Sequence, residues 1–337
     1  MKLGDHIAFE NFIKSNTLED QESVFTADYY RLHTFEFKKF HRKFAIIDYR
    51  DLHREIWNNE EYLKDFNHRI EKLHNLGFIF IIGHPWESMQ NVENWFNIDR
   101  VLADKKFIHW SGGTSWFWHM MFEKHHDKNY YFVHSAKKFD FLYLNKYPRK
   151  HRILLYKKLH EKKILDNSLY TFIRHNNQRL PKEYELPYID NKNYPDYGLD
   201  QEIFELPYNH SAYNIVSETN DNDNDIFMTE KIWKPIMAKQ PFILHGNHLY
   251  LKKLKELGFK TFDNVIDESY DLEKDRNKKI ELITNSCQKL LTKDWKSVYA
   301  DTLEQREHNY KNFWSKESLI KEINKTILGF LEFADRS

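Results

Sequence analysis

Along this chain, short apolar runs of strand length alternate with longer stretches whose apolar residues recur at helical spacing. Ala45-Ile46-Ile47-Asp48 is one such run. Residues 51–75 carry Leu52, Ile56, Leu63, Ile70 and Leu73 among apolar positions of helical spacing. Gly77 then introduces Phe78 to Ile82, which reads as a buried strand running out into Gly83-His84-Pro85-Trp86-Glu87-Ser88. A further helix and the run 106–110 continue the alternation, so residues 1–137 are expected to form one α/β domain.

The same rhythm resumes at residue 138. Residues 139–144 read as a strand, Asn145-Lys146-Tyr147-Pro148 as its turn, 149–162 as an amphipathic helix and 169–173 as the next strand. Tyr213 to Val216 form a short apolar run ending in Ser217-Glu218-Thr219, and an acidic loop comes next. Thr229 is a fitting N-cap for a helix opening at Glu230-Lys231. Pro235 either kinks that helix or opens its second segment, because proline has no amide hydrogen to donate. Residues 241–244 read as a strand closing on Gly246, where glycine permits a tight turn. Helical patterns occupy 249–257, 275–291 and 315–333, with 293–314 also largely helical. Residues 138–337 are therefore expected to form a second α/β domain.

Composition supports a folded chain. Of 337 residues, 41% are hydrophobic and 30% charged, which argues against disorder. Cys287 stands alone, so no internal disulfide is possible and a reducing compartment suits the sequence. The first residues lack the charged-then-apolar build of a signal peptide, and no run of 18 apolar residues occurs. A cytoplasmic location is expected. Net charge is zero but unevenly placed: residues 138–182 are strongly basic, whereas 183–230 hold many acids against Lys192 alone. A basic stripe of this kind can receive phosphates, of a nucleotide or of nucleic acid, and otherwise reads as a solvated helix face.

Candidate chemistry gathers where the predicted strands end. Open α/β sheets bind ligands beyond the carboxyl ends of their strands and at helix N-termini. Glu218, Thr229, Glu230 and Lys231 map to that rim. Arg149 and Arg152 fall in the first turn of the helix after Asn145, where guanidinium forks and backbone amides suit phosphate geometry. Ser111-Gly112-Gly113-Thr114-Ser115 reads as a loop through which backbone could approach a ligand. It is neither a Walker loop nor G-x-G-x-x-G, so P-loop and dinucleotide readings fail. Glu87 is the preferred general base, in a turn after a buried strand beside Trp86, which could desolvate it; His84 competes. Histidines 109, 119, 125, 126 and 134 form no H-E-x-x-H and have no partner cysteines, which favours structural or surface roles. Asp221, Asp223 and Asp225 alternate like the first ligands of a calcium loop, but Ile226 and Ile232 occupy the positions needing glycine and glutamate. The same alternation resembles the Asp-x-Asp of single-domain, metal-dependent glycosyltransferases, which leaves a manganese-dependent alternative open.

The order of a strand ending in Glu218, a polar loop and Phe227-Met228-Thr229-Glu230-Lys231-Ile232-Trp233 resembles the donor-site signature of the α1,3-fucosyltransferase-like glycosyltransferases. Thr229-Glu230-Lys231 matches that signature fully and Ser217-Glu218-Thr219 in part. The resemblance covers residues 139–265 and implies a fold of two Rossmann-like domains facing a cleft, the GT-B type. It implies metal-independent, inverting transfer of a fucose-like or other hexose from a nucleotide-linked donor, GDP preferred, to a glycan hydroxyl. Arg152, with Asn145 and Arg149 beside it, and Lys231 would meet the donor pyrophosphate. Glu230 would accept donor hydroxyls, and Glu218 would face the sugar's anomeric carbon. The family takes its base, a glutamate, from the N-terminal domain, and its last helix often crosses back to that domain. Many relatives carry a membrane anchor, so a chain without one suggests a bacterial or viral setting. Two further readings stay open: a glycosyltransferase acting on modified DNA bases, and a non-catalytic relative that binds sugar nucleotides.

Overall fold

The computed structural model describes residues 113–145, 149–172, 202–221, 226–319 and 321–322. Before residue 113 it describes the backbone of four strands, with Gly77 and scattered helical positions from residue 64 to 75. The chain divides into two compact units, Met1–Ser115 with Ile320–Ser337, and Trp116–Leu319.

In the first unit, β1 (Val24–Thr26), β2 (Lys43–Asp48), β3 (Phe78–His84) and β4 (Phe107–Ser111) lie side by side in sequence order, every pair parallel. The apolar runs read from the sequence supply the three longer strands. Gly77 ends the preceding helical stretch with φ 82 and donates its N–H to the carbonyl of His74. Only glycine takes that left-handed geometry without strain, which makes it a common residue just past a helix end. β3 ends at His84, paired with Ser111 at the end of β4. His84 therefore stands at the carboxyl edge of this sheet, while Glu87 lies outside the described residues. The stretch 111–115, expected to be a ligand-approach loop, is the end of β4 and the start of helix α1 (Gly113–His125).

α1 also shifts the expected boundary at 137/138. Trp118, Met121, Phe122 and His125 share one face of it at i, i+3, i+4, i+7 spacing, and all four are buried. Trp118 stacks on Trp233 at 5.6 Å, meets Phe259 edge-on at 5.0 Å and donates its indole N–H to the carbonyl of Phe313. Residues 116–137 thus belong to the second unit, and α1 contributes to its core.

That unit holds a second parallel sheet: β5 (Phe139–Asn145), β6 (Leu169–Phe172), β7 (Ser211–Ser217) and β8 (Phe242–His245), in the order β6-β5-β7-β8. The chain leaves β5 for one side, then returns to build on the other. This is the order of doubly wound sheets, with a topological switch point between β5 and β7. Right-handed crossovers in opposite directions place α2 (Lys150–Glu161) and α4 (Glu230–Met237) on opposite faces. Between them in sequence, α3 (Glu205–His210) leads into β7; α5 (Tyr250–Glu256) comes after β8. α6 (Arg276–Leu291) packs on α2 and β8, and after α7 (Trp295–Asp301) comes α8 (Leu303–Phe313), which packs on α4. With both faces covered, all seven residues of β7 are buried. Within that layer the Asn214 amide donates to Gln240 Oε1 at 3.2 Å, and Gln240 Nε2 donates to the carbonyl of Ser211 at 2.7 Å. Pro235 lies inside α4, which runs unbroken from Glu230 to Met237. The final helical pattern, including any return to the first unit, lies outside the described residues beyond 322.

Behind the amino end of β5, the segment before it is strapped to α3. Val133 donates its N–H to Asn209 at 2.7 Å, and the Lys137 ammonium donates to the carbonyl of Tyr208 at 3.0 Å and to Nδ1 of His134 at 3.1 Å. Burial and then the nearby Arg306 guanidinium push the Lys137 amine down from its ordinary 10.5 to about 7. Between these values the unfolded chain holds more protons than the folded one, so stability rises with pH through that window. Relative to Lys137→Met, the wild type is expected to gain stability from about pH 7 to about pH 10 in urea titrations. Parallel pH profiles for the two proteins would remove the assignment.

Candidate functional site

The site is built at the carboxyl end of β7. Glu218 is fully buried just past this strand, and its carboxylate accepts four hydrogen bonds. Donors are the N–H groups of Thr219 and Thr229 at 3.2 Å, the Thr229 hydroxyl at 2.7 Å and the Tyr250 hydroxyl at 2.6 Å. Burial and then the Glu218 charge push the Tyr250 phenol well above its ordinary range, so it stays a neutral donor. Four donors fill the acceptor capacity of a carboxylate. In this structure the donors to the Glu218 carboxylate are all protein groups. It joins the end of β7 to the N-cap of α4 and the first residue of α5.

Thr229 is the N-cap that the sequence predicts, its hydroxyl oxygen accepting from the Lys231 N–H. The next two side chains form an ion pair, with Lys231 Nζ 2.6 Å from Glu230 Oε1. The ammonium also donates to Thr229 Oγ1 at 2.9 Å and Thr219 Oγ1 at 3.2 Å. Burial opposes the charge of Glu230, but Lys231 and Lys234 outweigh it and hold the carboxyl below its ordinary range. Lys231 is the more exposed member of the pair, with 22% of its side chain open to solvent against 8% for Glu230.

Gly246 is needed here for space. A Cβ at this position would meet the Tyr250 ring at 3.0 Å, and that ring carries the hydroxyl holding Glu218. Its φ is not left-handed, so close approach replaces the expected tight turn as the reason for glycine.

Across the switch point, α2 brings two kinds of arginine. Arg149, its N-cap residue, is exposed. Arg152, 2% exposed, sends Nε and Nη2 to the Glu218 carbonyl at 3.2 and 2.9 Å. Two of the five guanidinium N–H donors of Arg152 are thus engaged with main chain, which fixes the side chain beneath the sheet edge. Arg149 stands at the surface of the same helix end. Asn145, the last residue of β5, is buried, and neither its amide oxygen nor its nitrogen has a hydrogen-bond partner. Burial pushes the Tyr143 phenol up, against the Arg152 charge and the nearby Ser217 and Asn145 side chains, and its hydroxyl donates to the Arg152 carbonyl at 3.1 Å. A buried amide without a partner is uncommon, and this one lies at the edge where open α/β sheets receive ligands.

A third group joins residues that the sequence does not connect. Asp221 receives a two-pronged contact from Arg276, the first residue of α6, with Nη2 3.0 Å from Oδ1. His151 Nδ1 lies 3.6 Å from the same carboxylate, and its Nε2 lies 3.0 Å from the Glu218 carbonyl. Behind His151 stands His245, wholly buried, its ring 5.4 Å away. His245 Nδ1 pairs with Ser217 Oγ at 3.3 Å, and its Nε2 has no partner. Burial, then His151, Lys279, Arg152 and Arg276, hold this imidazole neutral, well below its ordinary range. Asp221, first of the three alternating aspartates, is already held by an arginine; Asp223 and Asp225 lie outside the described residues. Among the described residues, no group of three or more His, Cys, Asp and Glu is placed to hold a metal ion, and no helix is long and apolar enough to cross a membrane.

The structure therefore brings Asn145, Arg149, Arg152, Glu218, Thr229, Glu230 and Lys231 to one edge of one sheet. There, Arg152 and Glu218 both hydrogen-bond to protein groups. Comparison with protein-family models and with curated proteins gives no match.

Proposed function

We propose that this chain is an inverting, metal-independent glycosyltransferase of the two-Rossmann, GT-B type. It would move a fucose-like or other hexose from a nucleotide diphosphate donor to a glycan hydroxyl. The observation that carries this reading is the unsatisfied Asn145 amide at the switch point of a doubly wound sheet, on the edge where α2 and α4 begin. Asn145 binds a polar group of the donor. Arg149 and Lys231 offset the charge of the departing pyrophosphate, as preorganised cations do in water-poor sites. Glu230, steadied by Lys231, accepts donor hydroxyls. Glu218 and Arg152 hold the ends of the strand and both helices in place. The acceptor oxygen attacks the anomeric carbon as the bond to the phosphate oxygen breaks, and Glu87 takes the acceptor's proton.

The test is calorimetric titration with GDP, UDP, CDP and their sugar conjugates in the presence of EDTA. One nucleotide is expected to bind at micromolar concentration, and Arg149→Ala to weaken it about tenfold, the scale of one charge-assisted hydrogen bond. Folded Glu230→Ala is expected to lose about a hundredfold in turnover by the same reasoning. Silence from every nucleotide sinks the proposal. Binding without turnover on any acceptor leaves a sugar-nucleotide-binding protein, and binding only after manganese is added moves the chemistry to the alternating aspartates.

A further inference from the structure

The contacts of Asp221 describe the geometry of a bound oxyanion. Two of its oxygens meet the Nε and Nη2 fork of Arg276, and His151 Nδ1 approaches one of them at 3.6 Å. Paired oxygens on an arginine fork are the arrangement that carboxylate and phosphate share. Behind His151, Arg152 shares the Glu218 carbonyl with it, and His245, with its Nε2 unpartnered, stands 5.4 Å from its ring; Arg152 and Lys279 are both buried. The Lys279 ammonium donates to the Gly246 carbonyl at 3.2 Å, which fixes it at the carboxyl end of β8. Arg276 thus holds the carboxylate directly, while Arg152 from α2 and Lys279 from α6 bind the neighbouring carbonyls of Glu218 and Gly246.

The position of Asp221 separates it from an ordinary ion pair that fastens two elements. It comes after Thr219 and Asn220 in the connection beyond β7, and belongs to no helix or strand. It stands at the carboxyl edge of the sheet, beside the switch point, where ligands of such sheets are received. Arg276 keeps 41% of its side chain exposed although Asp221 keeps only 8%. The arginine can therefore be reached from solvent while its present partner covers the inner side of the cradle.

We propose that Asp221 is a resident counter-anion, seated on Arg276 and His151 until a phosphate group of the ligand displaces it. The ligand class is a diphosphate, which carries more charge than one carboxylate and can span Arg276 and the inner cations together. The inference rests on the nucleotide diphosphate reading for the identity of its ligand, and adds Arg276, His151 and His245 to the residues that would receive it.

The experiment titrates the full chain with inorganic phosphate, pyrophosphate and nucleoside diphosphates at constant ionic strength. Asp221→Asn is expected to bind pyrophosphate at least about tenfold more tightly than wild type, because the competing carboxylate charge is gone. Adding Arg276→Gln to that variant is expected to abolish the gain. Thermal unfolding guards against a folding defect: Asp221→Asn should melt below wild type alone and recover more than wild type when pyrophosphate is added. An Asp221→Asn protein that binds pyrophosphate no more tightly than wild type overturns the proposal, as does a gain that survives Arg276→Gln. If pyrophosphate gives the expected pattern and no nucleotide binds, the cradle stands and the nucleotide reading falls. If nucleotides bind all variants equally well, the reading stands and the cradle falls. Inorganic phosphate matching pyrophosphate in every variant would overturn the diphosphate assignment and identify free phosphate as the ligand.

Discussion

Glu218→Ala is expected to lower the free energy of unfolding by about 3–5 kcal/mol, the range found when one partner of a buried charged contact is removed. Deleting the carboxylate strands four donors in a site closed to water: two backbone N–H groups, the Thr229 hydroxyl and the Tyr250 hydroxyl. Each unsatisfied group costs about 1–3 kcal/mol, reduced where relaxation lets water in. Glu218→Gln keeps the shape but turns an NH₂ group toward existing donors, so its loss should be intermediate. Tyr250→Phe removes a single donor and should cost least. Urea titration of the three variants gives the order. Equal losses for alanine and glutamine would show that volume, not hydrogen-bond capacity, sets the effect. A loss below about 1 kcal/mol for alanine, the scale of one ordinary hydrogen bond, would show that Glu218 does not join these elements. Nucleotide binding should fall in step with stability along the series, because Thr229 sets the position of Glu230 and Lys231.

Trp118→Ala should be as damaging, at about 3–5 kcal/mol, the usual range for emptying a large aromatic site in a core. Trp118 has no exposed surface, and it packs against Trp233 of α4, Phe259 and the carbonyl of Phe313 at the end of α8. The substitution opens a cavity and also leaves that carbonyl without its donor. Trp118→Phe should restore much of the packing but not the hydrogen bond, and should lose less. Denaturant midpoints measure both. A mild effect from alanine would return residues 116–137 to the periphery of the second unit and reinstate a boundary near 137/138.

The two sites differ in how far the sequence anticipates them. The strands, the Thr229 cap and the clustering of Thr229, Glu230 and Lys231 at a helix start are legible, because each depends on residues within one or two turns of each other. Seven buried positions in β7 agree with its apolar character and with parallel pairing on both sides. Helix α1 is masked in the sequence although its apolar face has regular spacing, because the adjacent glycines at 112 and 113 suggest a loop. Even with that helix drawn, its attachment to the second unit stays hidden: Trp118 and Phe313 stand 195 positions apart.

The residues themselves are easier to identify than their roles. Arg152 and Glu218 both suggest ligand contact from their place at strand and helix ends, and both are at the sheet edge. Their side chains also bind distant protein groups, Arg152 a carbonyl 66 positions away and Glu218 a hydroxyl 32 positions away. Nothing in the local pattern states whether a guanidinium at a helix start points outward or beneath the chain. The Arg276 contact with Asp221, across 55 positions, is similarly invisible, since an acidic loop and a basic helix start look solvated when read separately.

By itself, then, the sequence determined the α/β class, the places of most strands and helices, and the stretch where charged and polar residues gather at element ends. Hydrophobic period and capping are short-range, so a one-dimensional pattern retains them. The tertiary structure decided the strand order that creates the switch point, the separation of exposed Arg149 from buried Arg152, and the meeting of Asp221 with Arg276. Those outcomes depend on which elements become neighbours after folding, and on which charges lose water when they do.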